Sequence, residues 1–392
     1  MFRDYLEGRR LDEHLDAATR NFDGKFLVAM ETIPAIGEVT DLLLSEKPKR
    51  KIDLQYLAEF LPRAFAALEL EYDPEHLFET GDVSPSFQRI QDSNEAMFKF
   101  LLNRGRPIQS NIGRRAWFLA WTLQAHGLTD DRPILEFGAS GMAIGKQLTE
   151  VIAGKREHQQ VQMMERRRIG AANRLVVNPA LTRLMHEVVS GPFAGSPRYS
   201  GLDLFSPHDP AVQAWTRACS QYLTDWTNPG KRAEYDYLQR LDHPNVQWLF
   251  EDFSNFTLEH YQTAFPCEDR PRAIYIPFSI YELESDKARR RTLNQAVEIV
   301  THEDDATDPR RPGGVVAVLD DIRSIDCDNN VKIVNRRRDY STCGGWVYSS
   351  KVPDAGFQKY FSFQNGRLDA AIPEAGLSIL GLAAVRDRRA SS

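Results

Sequence analysis

Apolar positions change spacing part-way along the chain. Up to about residue 126 they recur at helical intervals. Ile52, Tyr56, Leu57, Phe60 and Leu61 form one face, and Ala96, Phe98, Phe100, Leu101 and Leu102 belong to another. A third helix is predicted from about Gly113 to His126, carrying Trp117, Leu119, Trp121 and Leu123 and ended by Gly127. Its aromatic residues read as core packing. Beyond residue 130 the pattern becomes short apolar runs alternating with helical stretches, which predicts a parallel sheet with crossover helices. Strands are expected at Ile134–Phe137, Tyr199–Leu204, Val246–Phe250, Ala273–Pro277 and Val315–Leu319. Helices are expected after Gly141, over Ala211–Leu223, around Leu258–Phe265 and over Asp286–Val300. Gly313-Gly314 makes a sharp re-entry turn. Gly345–Lys351 and Phe357–Phe363 read as antiparallel strands, and Leu377–Val385 as one more apolar run. The expected fold is a Rossmann-like α/β sheet with a helical amino-terminal cap and antiparallel carboxyl-terminal strands. Its division is 1–126 for the cap and 127–392 for the sheet domain, with a covering insert at about 155–198.

The chain has 392 residues, 42% hydrophobic and 27% charged, which fits one large α/β domain with an added region, or two domains. A net charge of -6 argues against a dedicated nucleic-acid binder. The clusters Arg166–Arg168, Arg289–Arg291 and Arg336–Arg338 therefore read as solvated helix faces and loops. The four cysteines, Cys219, Cys267, Cys327 and Cys343, form no C-x-x-C pair and have no zinc spacing to histidine. No metal site is expected. The first residues lack an apolar signal core, and no run is long enough for a bilayer. A cytoplasmic location is expected, with no nucleic-acid or membrane partner.

Candidate chemistry begins at Pro133-Ile134-Leu135-Glu136-Phe137-Gly138-Ala139-Ser140-Gly141-Met142. A buried strand runs into a tight turn and then a helix amino terminus. Glycines there let the backbone approach a ligand, and the first helical N–H groups point at it. Gly138, Ala139, Ser140 and Gly141 are the cofactor-turn candidates. Glu136, a carboxylate at the strand end, repels polyphosphate but suits a cationic or amino-bearing cofactor such as S-adenosylmethionine (SAM).

Other strand ends supply further candidates. Asp203, with Leu204 beside it, closes the second strand, where a carboxylate accepts both ribose hydroxyls. Glu165, at the end of Val161-Gln162-Met163-Met164, competes for that role. Asp252-Phe253 follows the third strand, where the acid can accept the adenine amine and the ring can pack on the base; the alternative is a cap for the next helix. Ser279, Tyr281 and Glu282 follow the fourth strand on the substrate side, and Tyr281 and Glu282 are the catalytic candidates. Asp320 and Asp321 end the fifth. Asn111 and Arg114 share a helix face before the first strand; Arg114 offers a planar fork suited to the methionyl carboxylate, and the competing reading is a helix cap and a surface ion pair.

Gln109-Ser110-Asn111-Ile112-Gly113-Arg114, Glu136-Phe137-Gly138-Ala139-Ser140-Gly141 and Tyr199-Ser200-Gly201-Leu202-Asp203-Leu204, with Pro207 and Asp209, resemble an uncharacterised bacterial class I SAM-dependent methyltransferase-like family. That family carries T-N-E-x-G-R, E-x-G-A-S-A-G-L and R-x-G-L-D-L-x-P-L-D elements. The resemblance covers about residues 109–145 and 198–300. Ile112 replaces the acidic residue, and Gly141-Met142 shifts the small residues of the turn. It implies a SAM-binding Rossmann-like domain in a family with no settled substrate; the large helical cover and the closing insert suit methylation of a small buried substrate. The alternative is an enzyme for which SAM is the sole substrate, cyclising or eliminating its aminobutyryl arm. A P-loop-like nucleotide binder ranks third, because Ser140 and Gln147 stand where that loop needs glycine and Ser or Thr.

Overall fold

The computed structural model describes residues 2–13, 17–32, 41, 58, 61, 112–139, 143–169, 172–195, 198–204, 246–266, 270–277, 279–280, 283, 285–302, 305, 307–308, 313–320, 333–334, 342–364, 368 and 370–373. The chain divides into two compact units, one of residues 1–110 with 205–239 and one of 111–204 with 240–392. In the first, α1 (Phe2–Leu11) lies against α2 (Ala17–Thr32). Arg9 reaches the fully buried Asp23 at 3.3 Å, and Arg3 pairs with Glu7 and Glu31.

The second unit is built on one mixed sheet. Its strands are β1 (Ile134–Phe137), β2 (Gln162–Ile169), β3 (Ala172–Val177), β4 (Tyr199–Asp203), β5 (Val246–Phe250), β6 (Ala273–Pro277), β7 (Val315–Asp320), β8 (Ile333–Val334), β9 (Thr342–Ser349), β10 (Phe357–Gln364) and β11 (Ala370–Pro373). They lie in the order β3-β2-β11-β10-β9-β7-β6-β1-β4-β5, with β8 beside β10. The strands β5-β4-β1-β6-β7 are mutually parallel. Taken in chain order they stand 3-2-1-4-5, the order of a dinucleotide-binding sheet, which reverses direction between β1 and β6. β9, β10 and β11 then continue as an antiparallel meander.

Burial follows from that arrangement. β1, β6 and β7 are buried at every residue, as strands covered by helices on both faces must be. Ile134, Tyr199, Ala273, Tyr275, Val315, Ala317 and Leu319 share one face with Trp117, Phe118 and Trp121 of α3 (Ile112–Ala125), with α4 (Ala143–Ile152) and with α5 (Pro179–Val189). The opposite face, led by Leu135, Phe137, Leu202, Ile274 and Ile276, packs on α6 (Leu258–Ala264) and α7 (Asp286–Val300). The α3 aromatics are core residues: Trp121 meets Phe361 edge-on at 4.7 Å and Phe118 meets Phe363 at 6.0 Å. Gly127, at a φ of 67°, ends that helix as the sequence predicts.

All five parallel strands and the first two antiparallel ones occupy the stretches expected of them to within three residues at either end. The hairpin β2–β3 is a different matter. Its charged residues Arg166–Arg168 are strand residues, exposed on both faces, and not part of a helix face or loop. Glu165 therefore sits on a strand separated from β1 by five others, where it accepts from Arg167 and from Asn178 at 2.9 Å. That place removes it as a rival to Asp203 beside β1. Arg289–Arg291 lie on α7. The helix expected over 211–223, the run 377–385, the faces around 52–60 and 96–102, and Arg336–Arg338 lie outside the described residues, except that Ala58 and Leu61 are helical and buried.

Candidate functional site

The sheet reverses direction at β1, and the carboxyl ends of β1, β4 and β6 come together there. Crevices at such points are where open α/β sheets hold ligands. After Phe137 the backbone turns at Gly138, whose φ of 73° suits glycine. A Cβ at that position would also stand 2.5 Å from Cβ of Ser279, so space and conformation each require glycine. The N–H groups of Gly138 and Ala139 both donate to the Leu202 carbonyl, at 3.0 and 3.1 Å. These first two amides of the turn are satisfied inside the protein.

Ser279 is buried, and its hydroxyl donates to the Phe137 carbonyl at 2.5 Å. It closes the turn from the β6 side. Phe253 stacks at a tilt on Phe137, 5.9 Å between centroids, and lies behind Gly138. Asp252 accepts from the Ser254 amide at 2.9 Å and from the Asn255 side chain at 2.7 Å, so both carboxylate oxygens shape their own turn. It does not cap the next helix. Thr257 does so, in a reciprocal box with His260.

Register sets the charged part of the site. Glu136 lies between Gly201 of β4 and Tyr275 of β6. Alternation puts it on the face of Tyr199 and Asp203. The Tyr199 phenol donates to the Glu136 carboxyl at 2.5 Å. Glu136 is 1% exposed. Burial pushes its carboxyl up to about 8, against the hydrogen bond from Tyr199 and the Arg115 charge; the Asp203 charge pushes it further up. Tyr199 is raised well above the usual phenol range by its own burial and then by Glu136. Tyr275 donates to the Arg115 carbonyl at 2.9 Å, fixing the first turn of α3 over the strands. Gly145 of α4 lies so close that a side chain there would overlap the Tyr199 ring.

Asp203 ends β4 half-buried, and Leu204 beyond it is 64% exposed. Asp320 ends β7 nearly buried, its carbonyl accepting from the Trp346 indole at 3.1 Å. Arg114 is half-buried on α3, one position from the arginine whose charge acts on Glu136. Asn111, Ser140, Gly141, Tyr281, Glu282 and Asp321 lie outside the described residues. Tyr199, Arg115 and Gly145 were not singled out by the sequence reading. One signal for Tyr199 was present: it leads Asp203 by four residues in a strand, which puts both on one face.

Among the described residues the arrangement is rich in acceptors, and the amides of Gly138 and Ala139 are already taken by Leu202. Two carboxylates stand at adjacent strand ends. A pyrophosphate needs the reverse, donors with no carboxylate beside them. Among the described residues no group of three or more His, Cys, Asp or Glu is placed to hold a metal ion. No described helix is long and apolar enough to cross a membrane.

No protein-family model matches the chain, and no curated protein does. A solved structure, the CcbJ methyltransferase from Streptomyces caelestis, is similar over 67% of this chain and 75% of its own, at 13% identity and a TM-score of 0.25.

Proposed function

We propose that the chain is a SAM-dependent enzyme, a methyltransferase acting on a small molecule. The observation that carries this reading is the pairing of Glu136 and Asp203 at adjacent strand ends, beside a turn whose first two amides are already bonded to Leu202. Asp203 accepts the ribose hydroxyls, a task for an acceptor-only group in a fixed place. Glu136 offers negative charge toward a cationic centre once its proton has left, and Arg114 offers a fork for a carboxylate. Bound SAM supplies an electrophilic methyl group on a sulfonium. The protein's part is to hold the acceptor in line with that methyl and to exclude water. Tyr281 and Glu282, which follow β6 in the chain, are assigned to orient the acceptor and take its proton.

Calorimetry with SAM, ATP and NAD tests the cofactor, and a heat with SAM alone is expected. Micromolar ATP binding without a SAM heat would overturn the reading in favour of a phosphate-binding loop. Incubation with SAM then tests the reaction. S-adenosylhomocysteine formed only with an added acceptor supports methyl transfer, whereas methylthioadenosine formed without one shows that SAM itself is the substrate.

A further inference from the structure

Tyr199 stands at the start of β4, yet its phenol ends at the Glu136 carboxyl 63 residues earlier, at 2.5 Å. Its ring fills the space left by the missing side chain of Gly145 on α4. It therefore touches β1 and the helix that flank the glycine turn from either side. Both members of the pair are buried, Tyr199 and Glu136 each to 1% exposure. Each element around them contributes a group. Asp203 comes from β4, Arg115 from α3, Tyr275 from β6 through its bond to the Arg115 carbonyl, and α4 presents Gly145 to the ring.

We infer that Tyr199 is a positioning residue of the site: it holds the Glu136 carboxyl beside the turn, so that arrival of a cationic ligand is coupled to departure of a proton from Glu136. The inference rests on the SAM reading for the ligand, but not for the Tyr199–Glu136 contact. A carboxyl buried beside a neutral phenol keeps its proton near neutral pH, about 8 being its titration point here. A positive charge brought near favours the carboxylate, and the proton leaves to solvent. The hydrogen bond from Tyr199 stabilises that carboxylate. A neutral sulfur in place of the sulfonium lacks the charge that drives the release.

Tyr199→Phe keeps the ring in its socket and removes the donor. Calorimetry at pH 7 in buffers of different ionisation enthalpy reads proton release directly. The wild type is expected to release most of one proton on binding SAM and less on binding S-adenosylhomocysteine. In Tyr199→Phe the half-release pH rises by about one unit or more, and SAM affinity near pH 7.5 falls about tenfold. A lower melting temperature with an unchanged pH dependence of binding would reduce Tyr199 to a packing role and overturn the inference. If SAM gives no heat, the cofactor reading fails, and infrared difference spectra of the free protein still decide the contact. A protonated-carboxyl band assigned through Glu136→Gln must then shift in Tyr199→Phe; an unshifted band sinks the inference by itself.

Discussion

Replacing Glu136 by glutamine should change how stability depends on pH more than stability at any one pH. In the fold the Glu136 carboxyl titrates at about 8, against an ordinary 4.5. Its folded value lies above the unfolded one, so the native state binds the extra proton between those limits. Stability from this group is complete below pH 4.5, declines as pH rises, and is gone above pH 8. A gap of that size corresponds to about 5 kcal/mol between the extremes, of which about 4 kcal/mol falls between pH 5 and 8.5. Glutamine keeps an oxygen for the Tyr199 phenol and cannot ionise. Its buried amide N–H groups cost about 1–3 kcal/mol, but equally at every pH. With roughly 2.1 cal/mol/K per residue of unfolding entropy, the wild type should lose about 5 °C more in Tm than Glu136→Gln over that range. Differential scanning calorimetry of both proteins at pH 5 and 8.5 measures it. Other titrating groups, His126 and His158 among them, are common to the two and cancel in the difference. Parallel Tm profiles would refute the buried, proton-holding Glu136.

Three other outcomes are expected. Gly138→Ala combines a left-handed backbone with overlap on Ser279, and should cost about 2–5 kcal/mol, seen as a lower Tm and less soluble protein; an unchanged Tm would mean the turn is not built as described. Asp203→Ala should weaken SAM binding by on the order of 1–3 kcal/mol in calorimetry, through ribose hydroxyls left without an acceptor, and equal affinity would remove Asp203 from the site. His158 is buried and held down to about 4 by that burial and then by His186, so the stability it confers is complete above about pH 6.5 and lost as pH falls toward 4. His158→Gln should flatten the acid limb of a urea-unfolding series by up to about 3 kcal/mol, and an identical limb would show that His158 titrates normally.

What the sequence disclosed and what it hid divide along one physical line. Strands buried on both faces, such as Val315–Asp320, announce themselves as unbroken apolar runs, and glycine at a left-handed turn is a local demand. The hairpin β2–β3 has neither sign. Four consecutive exposed residues, Arg166 to Ile169, show no alternation, because the ribbon there pairs only with its own partner strand and covers no core. β2 joins the sheet through Gln162 and Met163 alone, against a strand some 200 residues later, and no local pattern encodes that. The site divides the same way. A carboxylate at a strand end is legible, but its role is set by what register places across from it. Asp252 looks like a ligand group and completes its own turn; Glu136 looks like a ligand group and meets a phenol contributed by another strand. Register pairs Glu136 with the residue midway between Tyr199 and Asp203, so alternation brings all three to one face, and the meeting is written in two strands together and in neither alone.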